Sequence, residues 1–491
     1  MKKSSFRNAL ILLLFVAFVA RLCVAFYWDA RSSKLVQADE SVASDTKEAR
    51  FFFGDSDSYW RLGRAVAFGR PYQFDDVRRW QIFRTPGYPA ILAPIFWIWG
   101  ENPPTIAARV QGACFGVLNV ALVVFLTLRL FGSCSRKRKA IAFLSGCFVA
   151  LDPTLILQSV LILSEESFLT FALLQQICAL DLARKLGAAP YPSRDVVFFD
   201  PLKSRVPWLT PREYSLRRLF WDASLLGVVT ASAVYIRPSW LYFLPFETIV
   251  VLIARRSFGN AHEIDDFYYS PWANFFSWKK VAFAACCVCV LFFCVMSPWI
   301  RRNYELTGRF IPTSLQTGAS LYDGLNPNAT GASDMSFVDV FREAEKNSPS
   351  NSTTVHFEVR LDERMKKAAL DWVKENPCET ARLALVKFYR LWAPIPREPA
   401  FSSLGLKIAL FVSFTPVFVL GICGFIRSLR RRGAAWFLLT PACYLSILHT
   451  IFVSSIRYRT PVLYGFSILA SYWLVSTFCE QIEHKKEKRQ L

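Results

Sequence analysis

Long apolar runs alternate along this chain with short stretches dense in Lys and Arg, and the alternation sets the elements it predicts. The clearest run is Ala9 to Tyr27, in which Arg21 is the only charge. A helix needs about 20 apolar residues to cross a hydrocarbon core of about 30 Å. Runs of that kind recur near residues 8–27, 105–131, 140–157, 164–183, 219–236, 239–254, 281–298, 403–426, 434–453 and 461–479. They predict an all-α polytopic membrane protein with about ten transmembrane helices. Gly87 to Trp99 is equally apolar but only a few turns long. It is expected to lie at the membrane surface, where Trp97 and Trp99 suit the interface. An amphipathic helix is expected to start near Asp55, with Tyr59, Leu62 and Val66 on one side and Arg61 and Arg64 opposite. Another is expected near 358–375, with Leu361, Met365, Ala368 and Trp372 on one face. Asn376-Pro377 breaks it, a second amphipathic stretch runs to Trp392, and Pro394, Pro396 and Pro399 lead into the next span.

The charges orient these spans. Basic clusters at Arg136–Lys139, Arg184-Lys185 through Arg217-Arg218, Arg255-Arg256 through Lys279-Lys280, Arg427 with Arg430–Arg432, and Lys485–Arg489 mark the cytoplasmic side. Lys2, Lys3 and Arg7 precede an apolar run too long for a signal peptide, so the first span is expected to be retained. Both termini then lie in the cytoplasm. Were Gly87 to Trp99 to cross, Arg136–Lys139 would fall outside. Two large external regions follow, about 28–104 and 299–402. The expected organisation is a transmembrane catalytic module over 1–298 that includes the first external loop 28–104. A small α-rich external region follows over 299–402, and the C-terminal spans with a basic tail occupy 403–491. No internal repeat stands out.

Composition agrees. The 491 residues are 53% hydrophobic and 15% aromatic, with 44 Phe and 15 Trp, which a soluble domain rarely carries. The net charge of +20 sits in the clusters between spans, so it reads as the positive-inside rule and anionic lipid, with no nucleic-acid partner. Nearly all of the 13 Cys lie within apolar runs, and Cys286, Cys287, Cys289 and Cys294 share one span, as small residues packing between helices do. No disulfide framework is implied. His262, His356, His449 and His484 have no metal-ligand spacing.

Candidate chemistry lies where the bilayer discourages charge. Arg84 precedes the surface helix, Arg237 separates two spans, Arg301 and Arg302 follow Pro298-Trp299, and Arg457 and Arg459 occupy a very short outer loop. Singly each could be a snorkelling anchor. Together they place positive charge at one level of the outer interface, which an anionic headgroup explains; Arg pairs with phosphate oxygens in a bidentate way. In an extended connection Arg457 and Arg459 would point the same way, towards one phosphate. Asp55 and Asp57 are two apart and so do not share a helix face. One suits a general base for a hydroxyl, and the other an N-cap or an orienting group. Glu165 and Glu166 form a further acidic pair at the outer start of a span, where acids are costly.

Several motifs then resemble GT-C glycosyltransferases, including glycosyltransferase family 39, the protein O-mannosyltransferases and the lipid A aminoarabinose transferases. They are Asp55-Ser-Asp57-Ser-Tyr59, Arg84-Thr-Pro86-Gly-Tyr88-Pro89, Ala108-Arg109 and Leu163-Ser164-Glu165. Tyr235-Ile-Arg237-Pro238, Pro298-Trp299-Ile-Arg301-Arg302-Asn303-Tyr304 and Arg457-Tyr458-Arg459-Thr460-Pro461 follow in the same order, so the resemblance covers almost the whole chain. The family's adjacent acid pair is absent, because Ser56 follows Asp55, and the roles of Asp55 and Asp57 stay open. The family's Lys before the surface helix is matched in charge by Arg84.

The resemblance implies an inverting transfer from a sugar on a polyprenyl phosphate such as undecaprenyl phosphate, with Asp55 taking the acceptor's proton. It implies the Arg set at the phosphate, and Tyr59, Glu165, Asn303 and Tyr458 at the substrate. No cofactor is required by this scheme, and the need for a divalent metal is left open. The acceptor is a protein, lipid or glycan, the setting a bacterial inner membrane, and the site faces outward. The rival expectation is a transporter or flippase of a lipid-linked or anionic substrate, which would place its acids at mid-membrane.

Overall fold

The computed structural model describes residues 3–38, 54–74, 80–131, 135–186, 215–258, 277–346, 355–395, 403–430 and 435–490. Pro396, Pro399, Arg431 and Arg432, together with the basic connections 187–214 and 259–276, lie outside the described residues. Among the described residues the chain is helical, apart from turns and an isolated antiparallel bridge between Phe74 and Trp80.

In chain order the first half carries α1 (Lys3–Ala38), α2 (Gly54–Ala67), α3 (Gly87–Trp99), α4 (Thr105–Leu130), α5 (Ser135–Leu151), α6 (Pro153–Val160), α7 (Glu165–Lys185) and α8 (Leu216–Ile236). The second half carries α9 (Phe243–Phe258), α10 (Trp278–Thr307), α11 (Thr317–Gly324), α12 (Phe337–Lys346), α13 (Phe357–Glu375) and α14 (Pro377–Trp392). It closes with α15 (Leu404–Arg430), α16 (Ala435–Ile451), the short α17 (Ile456–Arg459) and α18 (Leu463–Gln490).

Six helical runs are long and apolar enough to cross a membrane: Ser5–Ser32, Thr105–Leu130, Leu216–Ile236, Trp278–Thr307, Leu404–Leu429 and Ile456–Ile482. The chain is a multi-pass membrane protein. The expected single span over 140–157 is instead a pair, α5 and α6, bent by 56°. Pro153 supplies the break, since it has no N–H to donate into a continuing helix. Asp152 restarts it by accepting from the backbone N–H of Thr154 at 2.7 Å and of Leu155 at 3.2 Å. The other expected spans fall short of that length or apolarity. α7 opens on two glutamates, while α9 and α16 have only 16 and 17 residues.

Helix α3 forms over the 13 residues expected of it. It buries Tyr88, Pro89, Leu92, Ala93, Ile95 and Phe96 and leaves Trp97, Ile98 and Trp99 exposed. Its buried face meets α2 and α8 in one apolar cluster with Tyr59, Trp60, Phe168, Ala233 and Trp240. The main bundle core runs through α1, α4, α5, α7 and α18. Lipid tails are as apolar as Leu, so such helices hold together through close packing rather than through escape from water. Gly424 shows this: a Cβ there would stand 2.1 Å from the carbonyl oxygen of Leu469, so only glycine admits α18 so near α15.

The basic ends of the bundle are paired internally. Arg129 reaches Asp181, Lys185 reaches Asp222, and Arg427 reaches Glu480. These pairs lie at the opposite helix ends from the residues that follow.

Candidate active site

Five separate stretches of chain meet where α2, α3, α7 and α17 begin and α8 ends. Asp55 and Asp57 occupy the first turn of α2, where the helix dipole favours acids. The Asp55 carboxylate is not spent on a cap. Its Oδ1 accepts from Arg84 Nη2, and its Oδ2 accepts from Arg457 Nη2 at 3.1 Å. Arg457 Nε also donates to Glu165 Oε1 at the start of α7. Arg237, in extended backbone after α8, brings Nη1 to 3.4 Å from that same oxygen. The result is a continuous row, Arg84–Asp55–Arg457–Glu165–Arg237, of three cations and two acids.

Aromatic rings wall the row. The Arg84 guanidinium stands 5.1 Å from the centre of the buried Tyr59 ring, which meets Tyr88 edge-on at 5.0 Å. Arg237 lies between Phe168 at 5.7 Å and Tyr458 at 5.5 Å. Tyr458 stacks on His449, with ring centres 4.6 Å apart and planes 4° from parallel. Burial alone would push the Asp55 carboxyl up, but Arg84 and Arg457 outweigh it and hold the group well below the usual carboxylate range. Burial would lower Arg84, and the Asp55 charge overrides it and raises it. Two buried atoms in the row have no hydrogen-bond partner among the described residues, Arg84 Nε and Glu165 Oε2.

The segments between the spans hold both arginines of Asp55 in place. Glu358 on α13 is 3% exposed and accepts from the backbone N–H of Gln81 at 2.8 Å and of Ile82 at 3.2 Å. Arg302 donates to the carbonyls of Gln81 at 3.2 Å and Tyr72 at 3.1 Å, and its guanidinium packs 4.7 Å from the Trp299 ring centre. The Tyr72 hydroxyl donates to the carbonyls of Arg84 and Thr85 at 3.2 and 3.0 Å. On the other side Lys387, fully buried on α14, donates to Ile451 O at 2.8 Å, and Ser454 N donates to Gly331 O at 3.0 Å. That fixes the approach to Arg457.

Of the residues singled out in the sequence, Asp55, Tyr59, Arg84, Glu165, Arg237, Arg457 and Tyr458 come together. Asp57 turns to Arg61 at 3.0 Å along a half-buried side of α2. Arg301 is 82% exposed at its side chain and pairs with Glu305 one turn on at 2.7 Å. Asn303 is buried and donates to the carbonyls of Ile311 at 3.0 Å and Thr313 at 3.4 Å. Arg302 braces the loop before Arg84 and does not join the row. The expectation that Arg457 and Arg459 point the same way fails, because the connection is a helical turn rather than an extended segment. In a helix, residues two apart diverge. Arg459 is 1% exposed, donates to the carbonyls of Leu391 at 3.1 Å and Ala393 at 2.6 Å, and lies 3.6 Å from the Phe414 ring centre. It satisfies the C-terminus of α14, where a cation also suits the dipole.

Sequence reasoning missed the polar layers behind the row. Arg21, the lone charge of the first span, is fully buried and donates to the carbonyls of Ala17, Val149 and Ala150 at 3.2, 3.3 and 3.1 Å. A Cβ at Gly116 would stand 2.3 Å from Arg21 Nε and 3.2 Å from Glu166 Oε1, so this glycine lets the two side chains share one space. Asn119 Nδ2 donates to Glu166 at 3.1 Å, and Thr170 donates to Asn119 at 2.6 Å. A second layer pairs Gln176 with the buried Glu247 and Gln175 with Trp240 Nε1 at 2.5 Å. The isolated Arg21 was a readable signal. His449 and Tyr72 gave none, since a single His or Tyr in an apolar run is ordinary packing. Among the described residues no group of three His, Cys, Asp or Glu side chains is placed to hold a metal ion.

No protein-family model matches the chain, and no curated protein matches it. Solved structures do resemble it. The archaeal oligosaccharyltransferase AglB from Archaeoglobus fulgidus, in complex with an inhibitory peptide and a dolichol-phosphate, is 15% identical with a TM-score of 0.46, over 96% of this chain and 52% of that one. The Archaeoglobus fulgidus oligosaccharyltransferase in the apo form is 13% identical with a TM-score of 0.47, over the same shares. The same enzyme tethered to an acceptor peptide containing the NVT sequon is 12% identical with a TM-score of 0.42, over 96% and 49%. The chain thus spans about half the length of the structures it matches.

Proposed function

We propose that this chain is an inverting GT-C-type glycosyltransferase. It moves a sugar from a polyprenyl-phosphate donor to an acceptor hydroxyl at the outer face of a bacterial inner membrane. The observation that carries this reading is the row of Arg84, Asp55, Arg457, Glu165 and Arg237 at one end of a membrane bundle. Its formal charge is one positive unit, which a phosphodiester monoanion neutralises. A lipid-linked sugar phosphate is such an anion, and its polyprenyl chain suits a site reached from the bilayer.

The chemistry follows from the same residues. The acceptor oxygen attacks the anomeric carbon and its proton passes to an Asp55 oxygen. The bond from the anomeric carbon to the phosphate oxygen breaks, and its electron pair remains on that oxygen. Arg84 and Arg457 stabilise the charge that develops there, in a setting of lowered dielectric. One displacement gives inversion. Tyr59 and Tyr458 offer ring faces to the sugar. The scheme uses no metal.

The transporter reading has one observation in its favour, the buried Glu247 with Gln176, since ionisable residues within spans mark transport paths by default. The two readings separate by substitution. Under the transfer reading Glu247→Gln leaves transfer within about threefold, because a neutral side chain still bonds Gln176. For the reading as a whole, the test is lipid extraction from a deletion strain. Accumulation of a polyprenyl-phosphate sugar, cleared by the wild-type gene and not by Asp55→Asn, supports transfer. An unchanged lipid profile sinks it.

A further inference from the structure

The row is closed on itself, and this bears on the order in which substrates act. Both Asp55 oxygens are occupied, Oδ1 by Arg84 and Oδ2 by Arg457 at 3.1 Å. A carboxylate held by two guanidinium groups is a poor proton acceptor, since each stabilises the anion it would have to give up. The same two groups are the ones placed to meet a phosphate. Arg457 has an alternative anchor in Glu165, and Arg237 touches Glu165 as well, so Arg457 can turn from Asp55 without being stranded. Arg84 already holds an unpartnered buried Nε, and its chain is steadied by the Tyr59 ring rather than by a second acid.

Resting on the transfer reading, we propose that the donor phosphate and the Asp55 carboxylate compete for the Arg84 and Arg457 guanidinium groups, so that donor binding releases the base. Without donor, Asp55 is masked and an acceptor hydroxyl is not activated. With donor in place, the phosphate oxygens take one or both guanidinium groups, and a carboxylate oxygen is freed for the proton. Donor therefore loads first. The spent lipid, a phosphate monoester carrying more charge than the donor, binds the same pair and keeps Asp55 unmasked until it leaves.

The competition has a signature that a general base alone would not produce. Removing the carboxylate abolishes transfer but should strengthen the binding of a lipid phosphate. The experiment measures equilibrium binding of undecaprenyl phosphate to the full-length protein in nanodiscs, with undecaprenol as the control for the hydrocarbon chain. Asp55→Asn is expected to bind undecaprenyl phosphate about tenfold more tightly than the wild type, the scale of one charge-assisted hydrogen bond no longer contested. Arg457→Ala is expected to bind it more weakly. Thermal melting shows that each variant is folded, and Asp55→Ala repeats the measurement should the amide variant melt early. Equal or weaker binding by folded Asp55 variants, with the wild type still preferring the phosphate to the alcohol, overturns the competition and leaves the transfer reading standing. A wild type that does not distinguish undecaprenyl phosphate from undecaprenol overturns both.

Discussion

Asp55 and Asp57 differ by two positions in sequence and by their whole environment in the fold. One lies between two guanidinium groups, and the other bonds Arg61 on the same helix. Sequence alone put both in one acidic turn and left the choice open, because the deciding partners, Arg84 and Arg457, come from 29 and 402 residues away. Asp55→Asn is expected to cut transfer by about 10²- to 10⁴-fold, the usual reach of a general base, and to lower melting, since Arg84 and Arg457 lose their shared carboxylate. Asp57→Asn is expected to stay within a few-fold, and the reverse pattern in a single-turnover assay would reassign the base. Arg457 and Arg459 make the same point for cations. Arg457→Ala is expected to weaken donor use, with Lys restoring part of it. Arg459→Ala removes the donor to two buried carbonyls. Its effect is expected in melting rather than in donor affinity, at about 1–3 kcal/mol. The positive-inside rule flagged both arginines as out of place, and it could not say which served packing, since Ser455 opening a helical turn sets their directions.

Among the elements, the long helices were legible because a span needs length and apolarity, and both are printed in the sequence. α3 was legible for the complementary reason: 13 apolar residues ending in Trp-Ile-Trp can form a helix but not a crossing. The break at Asp152-Pro153 is also written there, inside an apolar run that otherwise reads as one span. The joint between α13 and the loop at residues 81–82 was not legible at all, since it pairs one side chain with two backbone N–H groups 276 and 277 residues away. Glu358 in that joint titrates high. Burial raises its carboxyl to about 7, offset in part by the N–H groups of Gln81 and Ile82 and by Arg302. A raised folded-state value means that the folded protein holds the proton more tightly than the unfolded chain. The resulting stability is complete below the unfolded value of about 4.5 and is lost as pH rises through about 7. The melting temperature of the wild type is therefore expected to fall between about pH 5 and pH 8, and Glu358→Gln is expected to flatten that slope. An equal slope in the variant would place the titration elsewhere. Because the joint holds the loop that carries Arg84, transfer activity should decline with pH alongside melting.

At the scale of the whole molecule, the five charged groups of the row sit at one end of the helices while Arg129, Lys185 and Arg427 pair with acids at the other. This polarity is what the sequence reading used to orient the chain, by counting Lys and Arg in the connections. The outer arginines looked like exceptions to the rule. The fold gives each a carboxylate, carbonyl or aromatic partner, so their presence at that end costs less than the count implies. By that rule the end that carries Asp55 is expected to face away from the cytoplasm. Single cysteines test it in a background lacking the 13 native ones. Asn328 is exposed in the segment that follows α11, and Lys279 is exposed at the first turn of α10, at opposite ends of that helix. In intact cells Asn328→Cys is expected to react with a membrane-impermeant maleimide, and Lys279→Cys only after the membrane is opened. Because α10 is one continuous helix of 30 residues, the two positions must report opposite faces if it crosses. Labelling of both from outside would mean that α10 does not span. Labelling of Lys279→Cys alone would turn the chain over, put Asp55 in the cytoplasm and leave the donor on the inner leaflet.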